Sequence, residues 1–406
     1  MRLTKFPTNR GIVIGVVVAS VFGFTAGTSS EAVVSQDLAP ELASPALARQ
    51  PAAPAGTFPR PGKWNAITDV EGILVGQYNR LDNGYRTGTT VVFAPDGAEN
   101  GVSVPGGWPG GVNTDVLDPT KNSQLTNAIF LSGGSFFGLS AYGGVMQWLE
   151  EHGIGLKVGP GPNDVDPLVS GAIVYDLGRG GKFTARPDAS FGWNAMNNAK
   201  TGPVAQGNVG AGTATRSSPF KGGVGTASVE YENGLKVAAL IVVNAGTPVD
   251  PNTCGLLAAF LGLGDEFKGL RVPTAKECDA VYPKPKREKI DPSPQPITAI
   301  AVVATNAKLD AASTSQMASR GADGQVIGID TIHTLGDGDS VFALSTGKWN
   351  QPCVERACLE TVYEGATKTI ARAIVHAVLN AQSETGPDAR KSYCDSFPSA
   401  CKHLWK

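Results

Sequence analysis

Only four histidines, His152, His333, His376 and His403, are available to this 406-residue chain, and a Ser-His-Asp relay would have to use one of them. His152 falls at a helix end, His403 in the tail and His376 off the apolar face of its helix, which leaves His333 among loop residues that could line a site. The nearest approach to a nucleophile elbow, Gly138-Leu139-Ser140-Ala141-Tyr142-Gly143, has one residue too many for G-x-S-x-G. In GNVGAGTATRSSPFKGGVG the lysine, Lys221, is followed by Gly222 rather than Ser or Thr, so the phosphate-loop spacing is absent. GDGDS opens like a calcium loop but lacks the later ligands. A threonine offers chemistry that needs no histidine. Thr298 begins the apolar run TAIAVVATNA directly after the charged, Pro-rich segment VYPKPKREKIDPSPQPI. Cleavage before it would free an α-amine with a pKa of ~8, able to take the hydroxyl proton at neutral pH. Threonine is also an ordinary residue at strand starts, so position alone does not decide.

The elements that would hold such a site are legible in outline. Strand-like runs are ITDVEGILVGQY, GTTVVFA, NAIFLSGG, SGAIVYDL, VGTASVEY, KVAALIVVN, TAIAVVATNA and, after the turn HTLGDGD, SVFALST. Phe137, Ala141, Val145 and Leu149 recur at helical spacing and Gly153 stops that helix. Asp310 can cap a helix beginning near Ala311, and GATKTIARAIVHAVLNAQ places Ile370, Ile374, Ala377 and Val378 on one face. The segment 281–297 cannot pair as a central strand and reads as an internal surface linker. Strands interleaved with helices indicate a layered α/β arrangement whose topology this pattern leaves open.

An apolar content of 41% supports a buried core, and 34 basic against 36 acidic residues with no dense basic stripe argue against a nucleic-acid partner. Arg2, Lys5 and Arg10 precede an apolar stretch from Gly11 to about Ala26, the order of an export signal; if uncleaved, residues 11–26 would tether the chain to a membrane. An Ala/Pro-rich tether follows to about residue 62. The six cysteines fall as three near pairs, Cys254 with Cys278, Cys353 with Cys358 and Cys394 with Cys401, which suits local disulfides in an oxidising compartment. An exported (secreted, periplasmic or cell-envelope) location is therefore expected. No metal or cofactor is expected, because no spacing supplies a zinc site.

Taken in order, SGAIVYDLGRGG, GNVGAGT, FKGGVGTAS, LIVVNAGTPVD, TAIAVVATNA and GDGDSVFALST resemble the motifs of the L-aminopeptidase/D-esterase family, which includes β-aminopeptidases and the nylon-oligomer (6-aminohexanoate oligomer) hydrolases. The resemblance runs from about Trp64 to Gln382. It implies an α/β/β/α sandwich of the N-terminal-nucleophile type, made as a precursor that splits itself into a long and a short chain. It also implies a homo-oligomer acting on peptides or small amides. Position by position, it places the nucleophile at Thr298, the family's basic residue at Lys221, an oxyanion-type asparagine at Asn244, a substrate-contacting tyrosine at Tyr175 and an acidic pair orienting the nucleophile at Asp337 and Asp339.

Each role has a physical basis and an ordinary counterpart. Asn244 could donate an amide N–H to a developing oxyanion, or be a strand-end turn residue. Lys221 could stabilise negative charge or hold the Thr298 hydroxyl, or be a solvated lysine. Asp337 and Asp339, two apart on an extended segment, point the same way and could face the Thr298 ammonium or hydroxyl, although Asp-Gly is also a plain turn signal. Tyr175 could equally be strand packing. One residue departs from the family pattern: the position before the nucleophile, usually Asn or Gly, is Ile297, whose β-branch crowds the carbonyl to be attacked. Processing would then be slow or depend on an external protease. The expected organisation is an export signal or anchor (1–28), a linker (29–62), a long chain (63–297) that includes the processing linker 281–297, a short chain (298–385) and a tail (386–406). The reading is a self-processing exported aminopeptidase working through an acyl-enzyme on Thr298; the alternative is an inactive relative that binds peptides or plays a structural role.

Overall fold

The computed structural model describes residues 59–121, 124–283, 297–386 and 388–405. The expected export signal (1–28), most of the expected tether (29–62) and most of the expected processing linker (281–297) lie outside the described residues. Within them the strands of the main sheet are β1 (Leu74–Arg80), β2 (Thr87–Ser103), β3 (Gly111–Val112), β4 (Thr126–Ser132), β5 (Leu168–Ile173), β6 (Gly223–Glu230), β7 (Lys236–Asn244), β8 (Thr298–Thr305) and β9 (Ser340–Ser345), beside two short two-stranded ribbons. The helices are α1 (Ala141–Glu151), α2 (Ala189–Asn197), α3 (Ala275–Val281), α4 (Ala311–Gly328) and α5 (Arg356–Leu379), with two short turns of helix in the tail.

The strands run in the order β6-β7-β8-β9-β2-β4-β5-β3, with β1 also on β2. The long β2 serves both ends of this sheet. Its first part, through Phe93, pairs with β1 and β4, and its last part, Glu99 to Ser103, pairs with β9. A register shift between Phe93 and Ala98 separates the two parts, the kind of irregularity that bends a strand. One apolar cluster joins Val92, Ile129, Leu131 and Ala172 of one half to Leu240, Val242, Ile300, Val302 and Phe342 of the other. The two halves thus pack face to face.

Their outer faces carry helices. Val237, Ala239, Ala301, Val303 and Val341 meet Met317 and Ala322 of α4 and Val362, Ile370 and Ile374 of α5. Val91, Phe93, Phe130 and Val169 meet Ala141, Val145 and Leu149 of α1 and Phe191 and Met196 of α2. The order of layers is α/β/β/α. Because β7 and β8 are buried on both faces, their sequences read as unbroken apolar runs instead of alternating ones.

Local expectations meet mixed outcomes. Asp310 does cap α4, accepting from Ser313 N at 2.7 Å. Phe137 departs from the expected apolar stripe: it lies in a 3-10 turn before α1, half exposed, with the Arg186 guanidinium 3.6 Å from its ring centre. The face of α5 expected to hold His376 away from the core is itself buried, since Glu266 from a loop meets both Arg372 (2.7 Å) and His376 (2.7 Å). The cysteines pair as Cys254–Cys278, Cys353–Cys358 and Cys394–Cys401, with Cα separations of 5.7, 5.3 and 5.5 Å. The tail is more than an appendage, because Tyr393, Phe397 and Ala400 are buried in a cluster with Phe220 and Val375.

Candidate active site

The site gathers where β7 ends and β8 begins. The antiparallel register sets Asn244, the last residue of β7, directly opposite Thr298, and opposed residues in such a pair have Cα atoms about 4.5–5.5 Å apart. On the other side of β8 runs the parallel β9, and the loop leading into it crosses the start of β8 through an Ile297–Asp337 bridge. Thr298 is nearly buried, at 5% exposure.

Three groups meet at the Ile297–Thr298 bond. The Thr298 hydroxyl donates to the Ile297 carbonyl oxygen at 2.5 Å. The Gly338 N–H reaches the same carbonyl oxygen at 3.2 Å and the Thr298 hydroxyl oxygen at 3.3 Å. A nucleophilic hydroxyl, an amide carbonyl and a backbone donor that can polarise that carbonyl are therefore within one hydrogen-bond radius. Gly338 is a candidate site residue that the sequence reading did not single out. Its signal was the glycine inside GDGDS, where a side-chain carbon would lie 3.0 Å from Thr298 Oγ1 and 3.0 Å from the Trp108 carbonyl oxygen.

Asp339 accepts from Ala299 N at 2.6 Å with one carboxylate oxygen and from His333 N at 2.9 Å with the other. It thereby fixes both the start of β8 and a loop in which Thr331 and His333 take left-handed backbone angles. Burial, and after it the charge of Asp337, pushes the Asp339 carboxyl up to about 7 in spite of its backbone donors. Asp337 accepts from Thr334 N at 2.6 Å and, through its backbone carbonyl, from Trp108 N at 2.7 Å. Its Oδ1 is buried without a partner among the described residues, and burial raises its pKa. Neither carboxylate hydrogen-bonds the Thr298 hydroxyl; the pair acts on the backbone around it. From α4, Gln325 donates to Ala299 O at 2.8 Å and meets His333 Nε2 at 3.1 Å, so His333 is engaged in scaffolding.

The Asn244 amide is oriented by its acceptor end. Its Oδ1 takes hydrogen bonds from Arg216 N at 3.0 Å and from the Arg179 guanidinium. Two donors on one atom settle which end is oxygen. The Nδ2 is left buried and unpartnered among the described residues, beside Thr298. A buried N–H donor without an acceptor costs about 1–3 kcal/mol, and a developing oxyanion would satisfy it. Arg179 and Arg216 were not singled out from sequence, although Arg179 lies within the quoted SGAIVYDLGRGG.

Lys221 is not a solvated lysine. It is fully buried, and its ammonium donates to Gly212 O at 2.8 Å and Gly222 O at 2.9 Å. It does not hydrogen-bond the Thr298 hydroxyl, because its place in a tight two-strand hairpin with Arg216–Ser217 turns it into the GNVGAGT loop. Burial lowers its pKa to about 7. Tyr175, just past the end of β5, is half-buried and lines two cavities. One, of about 40 Å³, is apolar and bounded by Trp108, Phe136, Ile173 and Thr298. The other, of about 500 Å³, is bounded by Ile297, Phe220 and several charged residues. Among the described residues no cluster of His, Cys, Asp and Glu could hold a metal ion, and no helix is long and apolar enough to cross a membrane.

Comparison with known proteins agrees with this architecture. The model of peptidase family S58 matches residues 65–392. The chain is 39% identical over 358 residues to an uncharacterized aminopeptidase of Mycobacterium leprae, covering 83% of this chain and 95% of that protein. It is 27% identical over 370 residues to a beta-peptidyl aminopeptidase of Sphingosinicella xenopeptidilytica, covering 82% and 85%. Among solved structures, the L-aminopeptidase D-Ala-esterase/amidase of Ochrobactrum anthropi, described as a variant of the Ntn hydrolase fold, superimposes with a TM-score of 0.61 at 21% identity, covering 83% of this chain and 92% of that one.

Proposed function

The chain belongs to peptidase family S58, and from that premise we propose that it is an exported aminopeptidase that cuts its own Ile297–Thr298 bond and then works through an acyl-enzyme on Thr298. The observation that carries this reading is the single Gly338 N–H within reach of both the Ile297 carbonyl oxygen and the Thr298 hydroxyl.

In the precursor a small rotation of the Thr298 side chain would bring Oγ1 from the carbonyl oxygen onto the carbonyl carbon of Ile297. Attack forms the C–O bond as the C–N bond to Thr298 breaks, giving an ester, and the hydroxyl proton passes to the departing nitrogen. Water then hydrolyses the ester, releasing the Ile297 carboxylate and returning the Thr298 hydroxyl beside the amine freed in the first step. In the mature enzyme that amine, with a pKa of ~8, takes the hydroxyl proton as Oγ1 attacks the substrate carbonyl. Gly338 N–H and Asn244 Nδ2 would share the oxyanion, and the unpartnered Asp337 Oδ1 would face the new positive charge on the amine. The β-branch of Ile297 crowds this approach, and slow maturation is the expected consequence.

Export is supported by the basic and apolar N-terminus and by the three cysteine pairs. Peptides and small amides are the substrate class, and a homo-oligomer is the proposed assembly. The test is turnover of alanine p-nitroanilide and alanine amide by purified mature protein. Steady hydrolysis that is lost in Thr298→Ala is the expected result, and hydrolysis that survives this substitution would overturn the role of Thr298.

A further inference from the structure

The larger cavity holds more positive charge than the orientation of Asn244 by Arg179 and Arg216 requires. Arg179, Arg216 and Arg390 line it, with Asp388 as the one acidic residue in its wall among the described residues. Arg179 is buried and has no carboxylate partner: Nη1 serves the Asn244 amide oxygen and Ala214 O, and Nε has no acceptor among the described residues. Burial, followed by repulsion from Arg216, lowers its pKa to about 10, so it remains a cation at neutral pH. Arg216 donates to the Asp388 carbonyl at 2.8 Å rather than to a carboxylate, and its Nε is also buried without an acceptor. Arg390 forms no ion pair among the described residues and is exposed at the rim. Outside the cavity wall, Asp176 offsets part of the Arg179 charge and Glu384 part of that of Arg216, and Glu384 is also engaged by Arg86 at 3.4 Å.

Three arginines in one cavity wall, with Asp388 as the one carboxylate there among the described residues, form an anion site. It lies on the Ile297 side of the bond to be cut. Among the described residues, the small cavity on the Thr298 side has no charged residue in its wall, and Tyr175 belongs to both. We propose that Arg179, Arg216 and Arg390 bind the free C-terminal carboxylate of a short peptide substrate, whose first residue sits in the small apolar cavity with its carbonyl at Thr298. This inference rests on the acyl-transfer reading above and adds the substrate class to it: the enzyme acts on dipeptides and similarly short peptides bearing a free carboxylate, in preference to their amides. A carboxylate meeting a guanidinium fork makes two charge-assisted hydrogen bonds that an amide cannot match. A large fraction of the binding selectivity would then come from this end of the substrate.

The test compares alanyl-alanine with alanyl-alanine amide on the mature wild-type enzyme and on Arg390→Gln and Arg390→Lys, following release of the first alanine. Arg390 is at the rim and touches neither Thr298 nor Asn244. Wild type is expected to favour the free acid by 10-fold or more in kcat/KM, mainly through KM. Arg390→Gln is expected to lower that ratio several-fold while leaving the amide's kcat/KM unchanged, and Arg390→Lys to restore part of it. Equal kcat/KM for the two substrates in wild type would overturn the proposal and leave the arginines to neutralise the new Ile297 carboxylate. An Arg390→Gln variant that slows both substrates alike would also overturn it. Alanine p-nitroanilide, which carries no carboxylate, separates the two levels: its turnover alongside equal rates for the dipeptide pair would remove the carboxylate site alone, whereas inactivity toward all three substrates would remove the acyl-transfer reading as well.

Discussion

Gly338 and Thr298 are joined through one hydrogen: the Gly338 N–H stands 3.3 Å from the Thr298 hydroxyl oxygen while also reaching the carbonyl that this hydroxyl would attack. A side-chain carbon at position 338 would lie 3.0 Å from Thr298 Oγ1 and from the Trp108 carbonyl. One of those neighbours is backbone, so the loop has to shift. Gly338→Ala is expected to slow conversion of precursor to two chains at least 10-fold while leaving the circular dichroism spectrum unchanged. A conversion half-life equal to wild type, read by denaturing gel, would remove Gly338 from the mechanism.

Asn244, the register partner of Thr298, has an unpartnered Nδ2 among the described residues, with its oxygen held by Arg179 and Arg216. Loss of one oxyanion donor typically costs ~10²–10³ in kcat. Asn244→Ala should fall by that amount, read well below its melting transition, which is expected to drop because Arg179 and Arg216 N lose their acceptor. If kcat drops less than threefold, another donor holds the oxyanion.

Much of the fold was legible because its strands are buried on both faces. The runs KVAALIVVN and TAIAVVATNA appear in the structure as β7 and β8, and Asp310 caps α4. The bend in β2 that folds one half of the sheet onto the other was not legible, since a register shift depends on partners distant in sequence. At the site, the start of β8 brings Thr298 opposite Asn244 and beside the loop that carries Asp337 and Asp339. The contacts within the group were hidden: Asp339 spends both oxygens on backbone N–H groups, and Lys221 points into a carbonyl cage formed by Gly212 and Gly222. A backbone donor such as Gly338 N–H has no side-chain signature at all. The arginines went unread because their significance lies in the carboxylates they lack, which only spatial proximity reveals.

Lys221 is buried with a pKa lowered to about 7. An unfolded lysine keeps its proton up to about pH 10.4, so between those values the unfolded chain binds more protons and stability rises with pH. Relative to Lys221→Met, the wild-type protein should therefore gain melting temperature between pH 7 and pH 9.5, and the gap should stay level below pH 7. A difference independent of pH would mean that Lys221 titrates normally.

Glu266 has the opposite dependence. Burial alone would raise its pKa, but hydrogen bonds from His376 and Arg372 outweigh it and hold the carboxylate down at about 2. Its contribution is present above about pH 4.5 and is lost as pH falls through about 2. Leaving Arg372 buried without its partner in Glu266→Gln should destabilise the protein by about 3–5 kcal/mol at pH 7. The deficit should narrow in denaturant titrations at pH 3 and below. An unchanged deficit at low pH would place the effect in packing rather than charge.

Self-processing at Thr298 is tested most directly by intact-mass spectrometry of purified wild type and Thr298→Ala after equal incubation. Wild type should resolve into two chains, the shorter beginning at Thr298, while Thr298→Ala remains a single chain without activity on alanine p-nitroanilide. Cleavage of Thr298→Ala at the same Ile297–Thr298 bond, or an active wild type that never splits, would contradict the mechanism.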